Sequence, residues 1–214
     1  MARIDFGDPR GHADLATFVG RARTANPDGA IRLQVIGSAL LSTVAVLEGS
    51  GLMGDGTVLG LRISPLPTQS DAEARTDATV SFASLADRFA RNDPSTSILD
   101  VPAATVRVPW AALTPPRDGW ERVGTIDAAI LDSIALQGIS DIANGAPTGS
   151  GAQAVHQLRL RIWGTMSETV PPLPAGLAFA AHVLGFTTTD EPATLSANGR
   201  WTRLSTSRGH ALVR

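Results

Sequence analysis

Cysteine is absent from all 214 residues, so no disulfide and no thiolate-held metal can brace the chain. Its fold must rest on apolar burial and hydrogen bonding. With 43% hydrophobic and 18% charged residues, the composition is that of a globular protein of one domain or two small ones. The same absence excludes a thiol nucleophile and a cysteine-ligated iron–sulfur cluster. A second gap is as strict, because all 18 residues counted as Lys or Arg are Arg. Without lysine there is no Schiff-base chemistry and no P-loop, which sets aside pyridoxal-phosphate, kinase and Walker-type ATPase readings. Asp5-Phe6-Gly7 reproduces the kinase metal-binding tripeptide, but no catalytic loop accompanies it. A lysine-free chain rich in Ala, Arg, Gly and Asp is the product expected of a GC-rich genome, which points to a bacterial source.

The N-terminal residues meet charge at once and lack the apolar core of a secretion signal. The longest strongly apolar uncharged run, Leu33 to Leu47, is 15 residues, short for a membrane span. A cytoplasmic location with no membrane contact is the expectation.

Leu15, Phe18, Val19 and Ala22 fall on one helical face behind Asp14, so the spacing predicts a helix over Asp14 to Ala25. Ile31 to Leu47 reads as two strands, or as one strand bulged at Gly37, and Thr57 to Ser64 as a return strand. A polar linker from Pro65 to Thr79 leads to a short strand at Val80 to Phe82 and a helix at Ser84 to Arg91. Val101 to Leu113 reads as an edge strand interrupted by Pro109. The Pro- and Gly-rich stretch 114–124 is the expected boundary between a 1–113 sheet region and a 125–214 helical region, which could still pack as one domain. In the latter, a helix capped by Thr125 runs to about Asn144. Residues 152–166 fit either a helix or a strand, with length favouring helix, and Ala175 to Leu184 is an apolar helix. Asn198-Gly199 then predicts a hairpin between Ala193 to Ser196 and Arg200 to Ser205, with a further strand at His210 to Val213. The fold class expected is α+β, with a mostly antiparallel sheet and a C-terminal β-hairpin.

Residues 49–54 match the dinucleotide fingerprint G-x-G-x-x-G, but a strand follows where a phosphate-binding helix is required. A connecting loop is the reading retained, and no cofactor is expected. His12 with Asp5, Asp8 and Asp14 would make a loose metal cluster, yet residues of these types before a helix more often cap it, so no metal is expected either. His182 reads as a hydrogen-bonded core or interface histidine. No G-x-S-x-G elbow or paired carboxylates stand out, so no catalytic residue is named and the question of enzymatic activity stays open.

Charge is unevenly spread. Pro192 to Arg214 carries four Arg and no acid, whereas Val108 to Glu191 carries four Arg against eight acids. Arg200, Arg203, Arg208 and His210, with Trp201, therefore form a candidate anion-binding set, since guanidinium forks suit anionic oxygens. The reading favoured over it is a charged edge whose arginines pair with the acids of the preceding region, since charged edges prevent unwanted pairing. Three helices before a hairpin resemble the order of a winged-helix domain. The third helix, however, has no Arg and the net charge is only −2, so nucleic-acid binding is disfavoured. The leading expectation is a non-enzymatic interaction or assembly module, with 175–186 as an apolar contact for a homo-oligomer. The alternative is an anion- or nucleotide-binding protein or enzyme using the C-terminal Arg and His residues.

Overall fold

A computed structural model describes residues 2–49, 54–67, 76–146, 149 and 151–214. The chain divides into two units, one formed by Met1–Ala45 and Leu61–Ala112, the other by Val46–Gly60 and Leu113–Arg214. It is α+β with antiparallel strand pairing, as the alternating and helical periodicities predict.

In the first unit, β1 (Arg3–Asp5) is followed by α1 (Pro9–Ala25), a hairpin of β2 (Ala30–Ile36) and β3 (Ala39–Leu47), and β4 (Val58–Pro65). The division between the units falls inside β3 and β4. Next come β5 (Asp77–Ser81), α2 (Phe82–Arg91) and β6 (Ile98–Asp100). Strand β2 pairs on one side with β3 and on the other with β5, while β1 pairs with β6 through the buried pair Ile4 and Leu99. Helix α1 begins earlier than its apolar face predicts, because Pro9 occupies the first turn and the Asp8 carboxylate accepts from the Arg10 amide at 2.8 Å. Asp14, expected as the cap, lies inside the helix and pairs with Arg62. Gly37 has φ +58° and turns the chain between β2 and β3, which decides for two strands over one bulged strand. The strand expected over Val101–Leu113 does not form. Pro102 and Pro109 cannot donate to a ladder, and the segment ends in a single 3₁₀ turn over Pro109–Ala112. The G-x-G-x-x-G match falls largely on 50–53, outside the described residues, as does most of the polar linker.

In the second unit, β7 (Glu121–Ile126) occupies part of the stretch read as a boundary. Three helices follow: α3 (Ala128–Gly145), α4 (Ala152–Trp163) and α5 (Ala175–Leu184). Residues 152–163 are thus helical. Asp127, not Thr125, stands at the start of α3. The chain closes with β8 (Ala193–Asn198), β9 (Trp201–Thr206) and β10 (Gly209–Val213), in the spatial order β7-β8-β9-β10. The hairpin turn is one residue later than predicted, with Asn198 paired to Trp201 across Gly199 and Arg200.

Helix α5 is buried nearly all round. Leu177, Ala178, Ala180 and Ala181 are each at most 1% exposed, so the segment expected as an oligomer contact is taken up by its own unit. Its Phe179 ring stacks on Trp163 of α4, with centroids 4.3 Å apart. Room for Trp163 is made by α3, where a Cβ at Gly138 would stand 2.3 Å from the indole.

That contact separates two opposing effects. Alanine is the better helix former by about 1 kcal/mol, but at position 138 it would collide with a fully buried ring. We predict that Gly138→Ala lowers stability by about 1–3 kcal/mol in urea denaturation, overpacking outweighing propensity. Gly20→Ala on α1, where nothing lies within 4 Å, should raise it by about 0.5–1 kcal/mol. Equal effects at the two sites would refute the packing account.

Candidate functional site

Side chains along a strand alternate between faces. In the second unit, Leu195, Leu204 and Ala211 pair across β8, β9 and β10 and are each 1% exposed, and α5 packs against β9 and β10. The opposite face therefore carries Ser196, Arg203, Ser205, His210 and Leu212. Ser196 and Leu212 stand opposite Arg203, and His210 stands opposite Ser205.

This face is covered in part by the segment before β7. Trp120 donates from Nε1 to the Pro116 carbonyl at 2.9 Å, and Asn198 Nδ2 donates to the Asp118 carbonyl at 2.8 Å, which pins the segment to the β8–β9 turn. The Arg203 guanidinium then lies over the Trp120 ring, 4.2 Å from its centroid. Arg203 Nε is buried and has no hydrogen-bond partner. His210 Nδ1 lies 2.8 Å from Ser205 Oγ. Burial holds the His210 pKa below its ordinary value, and the Arg203 charge adds to that effect. Burial also lowers the pKa of Arg203.

Of the five candidates, Arg203 and His210 are thus brought together, with Trp201 buried in the same strand. Arg200 and Arg208 are not part of the cluster. They sit in the turns at opposite ends of β9, about 25 Å apart by strand rise. Arg200 is exposed and pairs with Asp55 at 3.2 Å, while Arg208 lies by Glu191, which accepts from the Ser207 amide at 2.8 Å. Trp120 was not singled out by the sequence reading. It follows a Pro-rich stretch with no periodicity to fix its direction, and only the pairing of β7 with β8 reveals where it points.

The remaining titratable groups have other duties. His12 is buried between the rings of Phe6 and Phe89 and within 3.2 Å of Asn92 Nδ2. Asp5 accepts from the Gly7 amide and Ser97, while Asp8 caps α1. Among the described residues no three His, Cys, Asp or Glu side chains converge as a metal site. His182 Nδ1 lies 2.7 Å from Asp132 Oδ1, which also accepts from Thr187, giving the hydrogen-bonded histidine expected at that position. No described helix is long and apolar enough to cross a membrane.

A family model described as Domain of unknown function (DUF8010) matches residues 1–112, more than half of the chain. The chain belongs to the DUF8010 family. Residues 115–214 match a second model, Domain of unknown function (DUF8185). No curated protein matches the sequence. The fold of this DUF8010 chain is similar to that of bacterial sliding clamps. The Bartonella birtlesii DnaN sliding clamp (DNA polymerase III subunit beta) bound to griselimycin matches with a TM-score of 0.56 at 10% identity, over 100% of this chain and 65% of the clamp. The Helicobacter pylori beta clamp bound to a DNA ligase peptide matches at 0.51 and 10%, over 100% and 65%. Caulobacter crescentus pol III beta matches at 0.51 and 13%, over 99% and 64%. The chain therefore spans less than two thirds of the length of each clamp, and at these identities the likeness is one of fold.

The depressed pKa values set a pH dependence. His210 and His12 both titrate below 6.5 in the folded chain, so the unfolded chain binds more protons in that range. Stability should be insensitive to these groups above pH 6.5 and fall as the pH drops through it. In NMR titrations the His210 ring should show a midpoint below 6.5 that rises in Arg203→Gln. A midpoint at 6.5 that ignores this substitution would show that the two side chains do not interact.

Proposed function

We propose that the chain is a non-catalytic interaction module that docks a short apolar segment of a partner protein on its second unit. The observation that carries this reading is a group of exposed apolar side chains around β7. Val123 is 50% exposed, at the irregularity between Arg122 and Gly124 in the pairing of β7 with β8. Gly124 lies under Pro171, whose ring atoms would be 2.9 Å from a Cβ there. Pro171 belongs to the 165–174 loop, which carries Val170 at 94% and Met166 at 56% exposure.

The loop is internally fixed. Ser167 and Leu173 exchange bonds, the Ser167 amide to the Leu173 carbonyl at 2.9 Å and the Leu173 amide to Ser167 Oγ at 3.1 Å, and Thr169 Oγ1 donates to the Pro171 carbonyl at 2.8 Å. A pre-shaped loop loses little entropy on binding, and clustered exposed apolar side chains mark contact surfaces more than scattered ones do. The bulge interrupts the ladder of an edge strand, so the surface offers side chains in preference to backbone groups. The peptide-bound H. pylori clamp supports a docking role for a chain of similar fold.

Protein is favoured over nucleic acid as the partner. Helix α3 carries Asp132 and Asp141 and no Arg, and the chain has a net charge of −2, whereas affinity for a phosphate backbone needs clustered cations.

Panning a random peptide library over the immobilised chain should enrich short apolar sequences. Val123→Asp and Val170→Asp should each weaken their binding at least about tenfold without changing the melting temperature. No enrichment, or binding that ignores both substitutions, would defeat the reading. Salt-dependent retention on DNA would redirect it to nucleic acid.

A further inference from the structure

We infer that the outer end of the Arg203 side chain is a binding site for a single carboxylate group. The inference is independent of the docking surface around β7. It uses different residues, and either can fail alone.

Arg3, Arg32, Arg62, Arg91 and Arg200 are each paired with an aspartate, at Asp100, Asp77, Asp14, Asp87 and Asp55. Arg203 is more enclosed than the exposed members of that set, yet no described acid lies against it. Its neighbours across the strands are Ser196 and Leu212, and its flat face is covered by Trp120. Taking a guanidinium out of water with no counter-charge is costly, and a polar group left in that state calls for an explanation.

Stacking on Trp120 fixes the plane of the guanidinium and so orients its donors in advance. Nε points into the protein, where it is buried and unpartnered, while the side chain as a whole stays partly exposed. The two terminal Nη groups are therefore the end that reaches solvent. A planar, oriented pair of donors matches the two oxygens of a carboxylate.

Among the groups facing Arg203, Ser196 is neutral, and His210 is engaged with Ser205, its pKa lowered by burial and by the Arg203 charge. Arg122, opposite Ser196 on β7, is the next cation along that face, and the single guanidinium fork of Arg203 matches one carboxylate. The carboxylate could belong to an acidic side chain of another protein or to a small free acid.

The test follows the Arg203 Nε–H and Trp120 Nε1–H resonances by NMR in the full chain at constant ionic strength. Three probes are compared: acetyl-aspartyl amide for an acidic side chain, acetate for a small acid, and inorganic phosphate. A saturable shift of both resonances is expected with one or both carboxylates, half-complete at roughly 1–10 mM for a single charge-assisted fork. It should be lost in Arg203→Gln and kept in Arg200→Gln, and the tighter carboxylate identifies the source. The site is overturned if neither carboxylate gives a saturable shift, if phosphate binds more tightly than both, or if Arg203→Gln responds like the parent. Should Arg203→Gln fail to fold, co-localised saturable shifts at both resonances in the parent and in Arg200→Gln decide for the site, and their absence decides against it.

Discussion

The apolar face formed by Leu195, Leu204 and Ala211 is closed by α5, and the rest of the second unit is arranged around that contact. Burying three cross-strand positions at about 25 cal/mol per Å² of apolar surface requires a cover with no polar side chains on its inner side. Helix α5 meets this because its buried residues are all Ala, Gly, Leu or Phe, and it is in turn enclosed by α3 and α4 through Gly138, Trp163 and Phe179. Since α5 is committed to one face of the sheet, the other face is left to shorter cover. The segment before β7 supplies part of that cover, and in doing so it sets Trp120 over Arg203.

This division of labour explains why the two faces differ chemically. The α5 face buries Leu195, Leu204 and Ala211 and holds no ionisable side chain from the three C-terminal strands. The other face mixes Leu212 with Ser196, Ser205, His210 and Arg203, so its polar groups must be satisfied individually. Most are: His210 has Ser205, and Asn198 has the Asp118 carbonyl. Arg203 is the exception, and binding function is a physical reason for keeping an unsatisfied cation in an otherwise well-ordered sheet.

Much of this was legible in the sequence. Helical spacing located α5 to the residue, and the alternation in 193–213 located the three C-terminal strands to within two residues. These segments are long or strongly patterned, so local physics and tertiary packing agree. Where they do not agree, the reading failed. Val101–Leu113 has β-forming residues, but its prolines remove the donors a ladder needs. Residues 121–124 read as the end of the 114–124 linker and Ile126 as the start of a helix, because this edge strand exposes Glu121, Arg122 and Val123. The candidate site was legible only as composition, an excess of Arg near the C-terminus. Strand pairing then separates Arg200 and Arg208 into opposite turns and adds Trp120, which is 81 residues before Trp201 in the chain and could not be connected to Arg203 by any local pattern.

We infer that Arg203 is retained for a ligand at the expense of the fold. The most direct measurement is the melting temperature of Arg203→Met in buffer free of carboxylate anions. Methionine keeps the length of the aliphatic stem and sets a thioether against the Trp120 ring in place of the unpartnered cation. If the claim holds, the variant melts at or above the parent, with a rise of about 2–4 °C for each kcal/mol recovered in a chain of this size. A clear drop in melting temperature would contradict it, because the Arg203–Trp120 stack would then be a structural latch.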